Sequence, residues 1–239
     1  MRAPDYERDG VRMYHGDCVE ILTEIPSASV DAVITDPPYS INTKSDGDGK
    51  LSPWGDLCNA AGFYRQWIGE CRRTLKPTGC LWSFMSWRSL ATFQKAACDL
   101  GWPIESLLVW DKGWIGPGGS VGLRPSYELV ALWAGASFRV PDRGVPDVQR
   151  FKWSGQKPTG HPAEKPIALI EWIIRTSGLS APAVVLDPFS GSGTTACAAR
   201  KAGLSFIGCE IDSGWAESSV RRIDAELAQG RLFPAGGAA

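Results

Sequence analysis

Apolar residues recur along the chain in two alternating rhythms: short dense runs, and longer stretches with helical spacing. Dense runs at Met13–His15, Ser29–Thr35, Cys80–Met85, Ile104–Trp110, Glu128–Trp133, Ala183–Leu186 and Ser205–Cys209 predict strands. Between them, Val19, Ile21, Leu22 and Ile25 repeat at helical intervals. Helices are also predicted over Ala60–Leu75, Ser89–Leu100, Pro166–Ser177, Gly193–Ala202 and Trp215–Ala228. Strand and helix therefore alternate, which predicts a single α/β domain on a mostly parallel sheet, with no internal repeat.

Four stretches break the rhythm. Ser40–Leu57 is rich in Ser, Asp, Gly, Lys and Asn and reads as a long mobile loop. Lys76-Pro77-Thr78-Gly79 reads as a turn, and Gly113–Gly122 as a glycine-rich loop. Ser137–Gly160 carries Pro141, Pro146 and Pro158 among charges and shows no period. Together, residues 113–160 suggest a small insertion for recognising a target.

A chain of 239 residues, 44% hydrophobic, is enough for one sizeable core. It has no apolar run of eighteen residues, so no membrane span is expected. The start, MRAPDYERDG, lacks the layout of a secretory signal. Seven cysteines (Cys18, Cys58, Cys71, Cys80, Cys98, Cys197, Cys209) never fall in a C-x-x-C pattern, and only His15 and His161 accompany them. That argues against a metal site and for a reduced, cytoplasmic protein. The net charge of −1 is awkward for a nucleic-acid binder. Phe63–Lys95, however, holds six basic residues against Glu70 alone, and Arg139–Lys165 holds six against three acids. Such clusters suit a phosphate-facing surface and a solvated helix face equally well, so charge by itself decides nothing.

Chemistry concentrates in two places. Asp36-Pro37-Pro38-Tyr39 closes a buried strand, at the edge where open α/β sheets bind ligands. Successive prolines stiffen the backbone. The Asp36 carboxylate and the Pro37 carbonyl can then offer two fixed acceptors to a primary aromatic amine, with Tyr39 as a stacking face. A proline-rich turn with a capping Asp is the plainer reading. The second place is Asp187-Pro188-Phe189-Ser190-Gly191-Ser192-Gly193-Thr194, a strand running through a glycine turn into a helix. Its glycines permit positive φ and close backbone approach to a ligand. The string is neither G-x-G-x-x-G nor a P-loop, so it suits a nucleoside without a strong demand for phosphate. Glu210 ends the next strand, 23 residues beyond Asp187, where an acid accepts hydrogen bonds from ribose hydroxyls. Gly16-Asp17 can serve a cofactor adenine or cap a helix. His161-Pro162-Ala163-Glu164-Lys165-Pro166 precedes the helix that leads into the glycine turn.

In this order the segments GD, DPPY, HPAEKP, DPFSGSGTT and GCEID, with RRTLKPTGCLWSF and VWDKG between them, resemble the β-class of DNA amino-methyltransferases. The resemblance spans roughly Tyr14 to Asp212. It implies a Rossmann-like methyltransferase fold with circularly permuted motif order, S-adenosylmethionine as cofactor, and double-stranded DNA as partner. Asp36, Pro37, Pro38 and Tyr39 would form the target-base pocket. Asp187, Pro188, Phe189, Ser190, Gly191, Ser192, Gly193 and Thr194 would surround the methionine and nucleoside parts of the cofactor. Glu210 would hold ribose, Asp17 the adenine, and Lys165 the methionine carboxylate. HPAEKP departs from the commoner HPTQKP at Ala163 and Glu164, which removes any bond the threonine would make.

The expected reaction is methylation of adenine N6 after base flipping. Cytosine N4 is the alternative on the same scaffold, though those enzymes more often carry Ser-Pro-Pro-Tyr. A non-catalytic DNA-binding module and an RNA methyltransferase are weaker alternatives. Arg124, Arg139, Arg143, Arg150 and Lys152 are the candidates for DNA contact. So short a recognition region suggests a short target sequence, or a homodimer sharing the work.

Overall fold

Strands with no polar face must sit inside a sheet that is covered on both sides. The computed structural model, which describes residues 2–38, 57–116, 122–153, 159–161 and 163–232, shows this arrangement. In chain order its elements are β1 (Tyr6–Arg8), β2 (Val11–His15), α1 (Cys18–Glu24), β3 (Val30–Thr35), α2 (Leu57–Thr74), β4 (Leu75–Met85) and α3 (Leu90–Asp99). There follow β5 (Ser106–Asp111), β6 (Tyr127–Ala134), β7 (Val148–Arg150), α4 (Ile167–Thr176), β8 (Val184–Asp187), α5 (Thr194–Lys201), β9 (Ser205–Glu210) and α6 (Ser213–Leu232). Among the described residues the strands form one sheet in the order β1-β2-β9-β8-β3-β4-β6-β5-β7. The run from β2 to β4 is parallel, whereas β6 is antiparallel to both β4 and β5.

Side-chain alternation sends each strand's residues to two separate cores. Trp82, Phe84, Val130, Val185 and Phe206 pack with Leu169, Ile173 and Ile223 from α4 and α6. On the other face Leu81, Met85, Trp133, Leu186 and Ile207 pack with Ile21, Trp67 and Phe93 from α1, α2 and α3. At the centre, β3 and β8 are parallel neighbours, pairing Ala32 with Val185 and Val33 with Leu186. Their chains then leave in opposite directions, to β4 and to β9. That switch point opens a crevice at the carboxyl ends of the two strands.

Two differences from the sequence reading have simple causes. Lys76–Gly79 is a bulge inside β4 rather than a turn before a strand: Val30 faces Leu75, and Ala32 faces Cys80. Asp31 holds the bulge through Lys76 Nζ at 2.8 Å and also accepts from the Val184 backbone N–H at 2.8 Å. Strands β1 and β7 are three residues each and lie at the sheet edges, too short to show a period.

Candidate active site

Asp36 follows directly on β3, so the strand's hydrogen bonds fix its backbone. The next two residues are stiffened by their rings, and the Tyr64 hydroxyl of α2 donates to the Pro38 carbonyl at 3.2 Å. Asp36 Oδ2 accepts from Lys165 Nζ, while Oδ1 is buried with no hydrogen-bond partner among the described residues. Burial raises the Asp36 pKa, Lys165 pulls it back, and the nearby Glu128 carboxylate pushes it up again.

At the end of β8, Asp187 is 3% exposed and ties the two central strands together. Its Oδ1 accepts from Thr35 Oγ1 at 2.6 Å and from the Phe189 N–H at 3.1 Å. Burial raises its pKa to about 6 despite those bonds. A raised carboxyl keeps its proton in the folded state while the unfolded chain, near 3.8, has lost it. Asp187 therefore favours folding most below about pH 4, and loses that advantage as the pH rises to about 6. The stability of the natural protein relative to Asp187→Asn should fall across that window by no more than about 3 kcal/mol. Denaturant unfolding at several pH values checks this; a difference that stays constant from pH 4 to 6 would refute it.

The glycine turn is held from three sides. Ser190 N–H donates to the Cys209 carbonyl at 2.8 Å, and Gly191 N–H to Glu210 Oε2 at 2.8 Å. Glu210 Oε1 also takes the Asp212 N–H at 2.9 Å, so this acid organises the loop as well as facing the crevice. Gly193 has φ +74° where it caps α5, and a Cβ there would meet Ser219 at 3.0 Å. Arg222 of α6 donates to the Ser192 carbonyl at 3.1 Å and to Thr194 Oγ1 at 3.0 Å. The same guanidinium pairs at 2.9 Å with Glu164, which is buried and accepts from Thr159 Oγ1. Glu164, one of the two departures from the family pattern, thus links the HPAEKP segment to the glycine turn.

These pieces surround one cavity of about 510 Å³. Its lining includes Asp17, Asp36, Pro37, Pro38, Lys165, Asp187, Pro188, Phe189, Ser190, Gly191, Ser192, Thr194 and Glu210. Gly193 shapes the turn from behind. Asp17 is the N-cap of α1, accepting from the Val19 N–H at 2.7 Å. Lys165 sits against Asp36 and the Ala163 carbonyl, at the Asp36 end of the cavity. Tyr39, Pro162 and the loop residues 40–56 lie outside the described residues.

The sequence reading missed Glu128 and Lys112. Glu128 is an acid inside an apolar strand, and burial of such a group is costly unless it is paired; that was the available signal. Burial pushes its pKa up, but Lys165 and Lys112 together outweigh burial and hold it below the usual value. Burial raises the thiols of Cys18, Cys71, Cys80, Cys197 and Cys209, which suits packing rather than nucleophilic attack.

The five basic candidates divide between the two edges of the sheet. Arg150 pairs with Asp111 at the carboxyl end of β5, and Lys152 follows it. Arg124 donates to the Gly116 and Ile115 carbonyls on the same side. Arg139 and Arg143 belong to the loop leaving β6 at the opposite edge, where Ser137 N–H bonds the Pro77 carbonyl and Pro141 packs beside Gly178. The antiparallel direction of β6 puts them there.

A mostly parallel sheet whose central switch point joins an Asp-Pro-Pro edge to a glycine turn defines a nucleoside-binding transferase scaffold. The chain belongs to the DNA methylase family, whose model matches residues 30–221. It is 31% identical over 218 residues to a protein of Escherichia coli (strain K12) that carries the name methylase YubD, covering 90% of each chain. The PvuII DNA methyltransferase (cytosine-N4-specific) superposes with a TM-score of 0.74 at 18% identity, covering 95% of each chain. The M1.HpyAVI–SAM complex superposes with a TM-score of 0.66 at 24% identity, covering 89% of this chain and 99% of that one. No helix among the described residues is long and apolar enough to cross a membrane.

Proposed function

We propose that this DNA methylase transfers a methyl group from S-adenosylmethionine to the N6 amino group of adenine in double-stranded DNA. The observation that carries the reading is Asp36: it lines the cavity, with one carboxylate oxygen anchored by Lys165 and the other without a partner among the described residues.

The cavity suits the cofactor. Its volume is in the range of small-molecule sites, with acids at one end (Asp17, Glu210), apolar walls (Phe63, Phe189, Ile211) and Asp36 at the other end. Glu210 spends one lone pair of each oxygen on the backbone and keeps the others for ribose hydroxyls. Ile211, 69% exposed and beside Glu210, offers a flat apolar wall for a purine. When bound, S-adenosylmethionine supplies a sulfonium methyl that the amine nitrogen displaces in line, a neutral thioether leaving.

The residues of this chain orient the amine and take its proton. Asp36 Oδ1 and the Pro37 carbonyl would accept the two N–H bonds and turn the nitrogen lone pair out of the ring. The amine becomes acidic only as the new bond forms, so Asp36 Oδ1 receives the proton then and need not be a strong base beforehand. Such fixed acceptors in a water-poor site carry most of the expected acceleration. The target lies inside a stacked duplex and must be flipped to reach Asp36. Of the basic candidates, Arg124, Arg150 and Lys152 lie on the side from which DNA would approach. Arg139 and Arg143 are left out of the proposed interface.

The test is methylation of plasmid DNA free of amino methylation, using purified protein and labelled cofactor, followed by nucleoside mass spectrometry. N6-methyladenine is the expected product. N4-methylcytosine would overturn the base assignment, and the absence of any modified DNA base would overturn the DNA substrate.

A further inference from the structure

Four charged side chains from four separate segments meet beside the cavity. Lys165 Nζ lies between two carboxylates, bonded to Asp36 Oδ2 and 3.5 Å from Glu128 Oε2. Glu128 Oε1 in turn takes Lys112 Nζ. The result is a row Lys112–Glu128–Lys165–Asp36, cation and anion alternating, in which no side chain is more than 20% exposed. Aromatic rings flank both ammonium groups: Phe84 at 5.1 Å from Lys165 and Trp110 at 5.2 Å from Lys112. Among the described residues, Asp187 across on β8 also feels the charge of Asp36.

Burying four charges costs more than packing apolar side chains of similar volume, so stability alone gives no reason for the row. Only Lys165 and Asp36 of the four line the cavity. Building on the function proposed above, we propose that Glu128 and Lys112 are positioning residues that seat the Lys165 ammonium on Asp36 Oδ2 and so reserve Oδ1 for the target amine. Glu128 draws the ammonium partly away from Asp36, leaving that carboxylate basic enough to accept a proton. Lys112 balances Glu128, so that it does not draw Lys165 off altogether. The row sums to zero charge, which lets a neutral base enter without importing a counterion.

The two outer members act on Asp36 in opposite directions. Glu128→Gln removes a like charge and the carboxylate that competes with Asp36 for Lys165, so Asp36 should titrate at lower pH. Lys112→Met removes a favourable charge, so Asp36 should titrate at higher pH. The first readout is carbon-13 NMR of the ligand-free protein labelled at its aspartate carboxyls, with Asp36→Asn used to assign the signal. The second is the pH profile of single-turnover methylation. Its acid limb should move down in Glu128→Gln and up in Lys112→Met, each with about a tenfold loss of kcat at unchanged KM for DNA. Lys112→Arg should restore both position and rate.

Calorimetric cofactor binding shows that each variant is folded. Opposite displacements of the Asp36 midpoint support the proposal. An unmoved midpoint in folded variants, or displacements of the same sign, overturns it. Should the natural protein methylate no DNA base, the substrate reading fails, and the NMR titration still decides whether Glu128 and Lys112 set the charge of Asp36.

Discussion

Replacing Asp36 by alanine should lower single-turnover methyl transfer at least about 10³-fold. The substitution removes the acceptor that lies at the junction of the central strands and the cavity, and no neighbour among the described residues is placed to replace it. Thr35, the residue before it, spends its hydroxyl on Asp187. Glu128 does not line the cavity and is engaged by two lysines. Because Asp36 binds no part of the cofactor in this reading, the affinity for S-adenosylmethionine should change by less than about threefold. Calorimetry and quenched-flow methylation separate the two quantities. A residual rate within tenfold of the natural enzyme would mean that another group accepts the proton.

The second large effect is expected at Glu210. Its carboxylate is shared between the Gly191 and Asp212 N–H groups, and its remaining lone pairs face the cavity. Glu210→Ala would remove two charge-assisted bonds to ribose hydroxyls, each worth about 1.5–3 kcal/mol, and would release the glycine turn as well. Cofactor affinity should fall about a thousandfold, near 4 kcal/mol. The rate at saturating cofactor should fall much less. Titration calorimetry reads the first and single-turnover kinetics the second. Undiminished affinity would show that the ribose lies elsewhere and that Glu210 only shapes the loop.

Both residues were legible in the sequence because their signals are local. Pro-Pro after a dense apolar run marks the strand end at Asp36, and an acid closing the strand after the Ser-Gly-Ser-Gly turn marks Glu210; parallel strands present such ends on one edge. What escaped is what depends on three dimensions. Lys112, Glu128 and Lys165 come from three distant segments and meet because β6 runs against its neighbours. The same reversal carries Arg139 and Arg143 to the far edge, which a count of basic residues along the chain does not register. The Lys76–Gly79 bulge was misread because Pro and Gly signal a break in a strand without saying whether the strand resumes. Arg222 gave no signal at all: one arginine on a charged helix looks like any other until its bonds to Ser192 and Thr194 are seen.

The strand order has a consequence for how the protein is made. Strands β2 and β3 are consecutive in the chain, yet β9 and β8 lie between them in the sheet. From the end of β3 until β8 begins at Val184, both inner edges remain open, an interval on the order of ten seconds or more at ordinary elongation rates. Unpaired parallel edges of that kind invite pairing with other chains. A chain that stops before Glu210 is thus an aggregation hazard rather than a smaller enzyme. The part of the polypeptide before Val184 has to be sheltered until its last strands arrive to fill the gap.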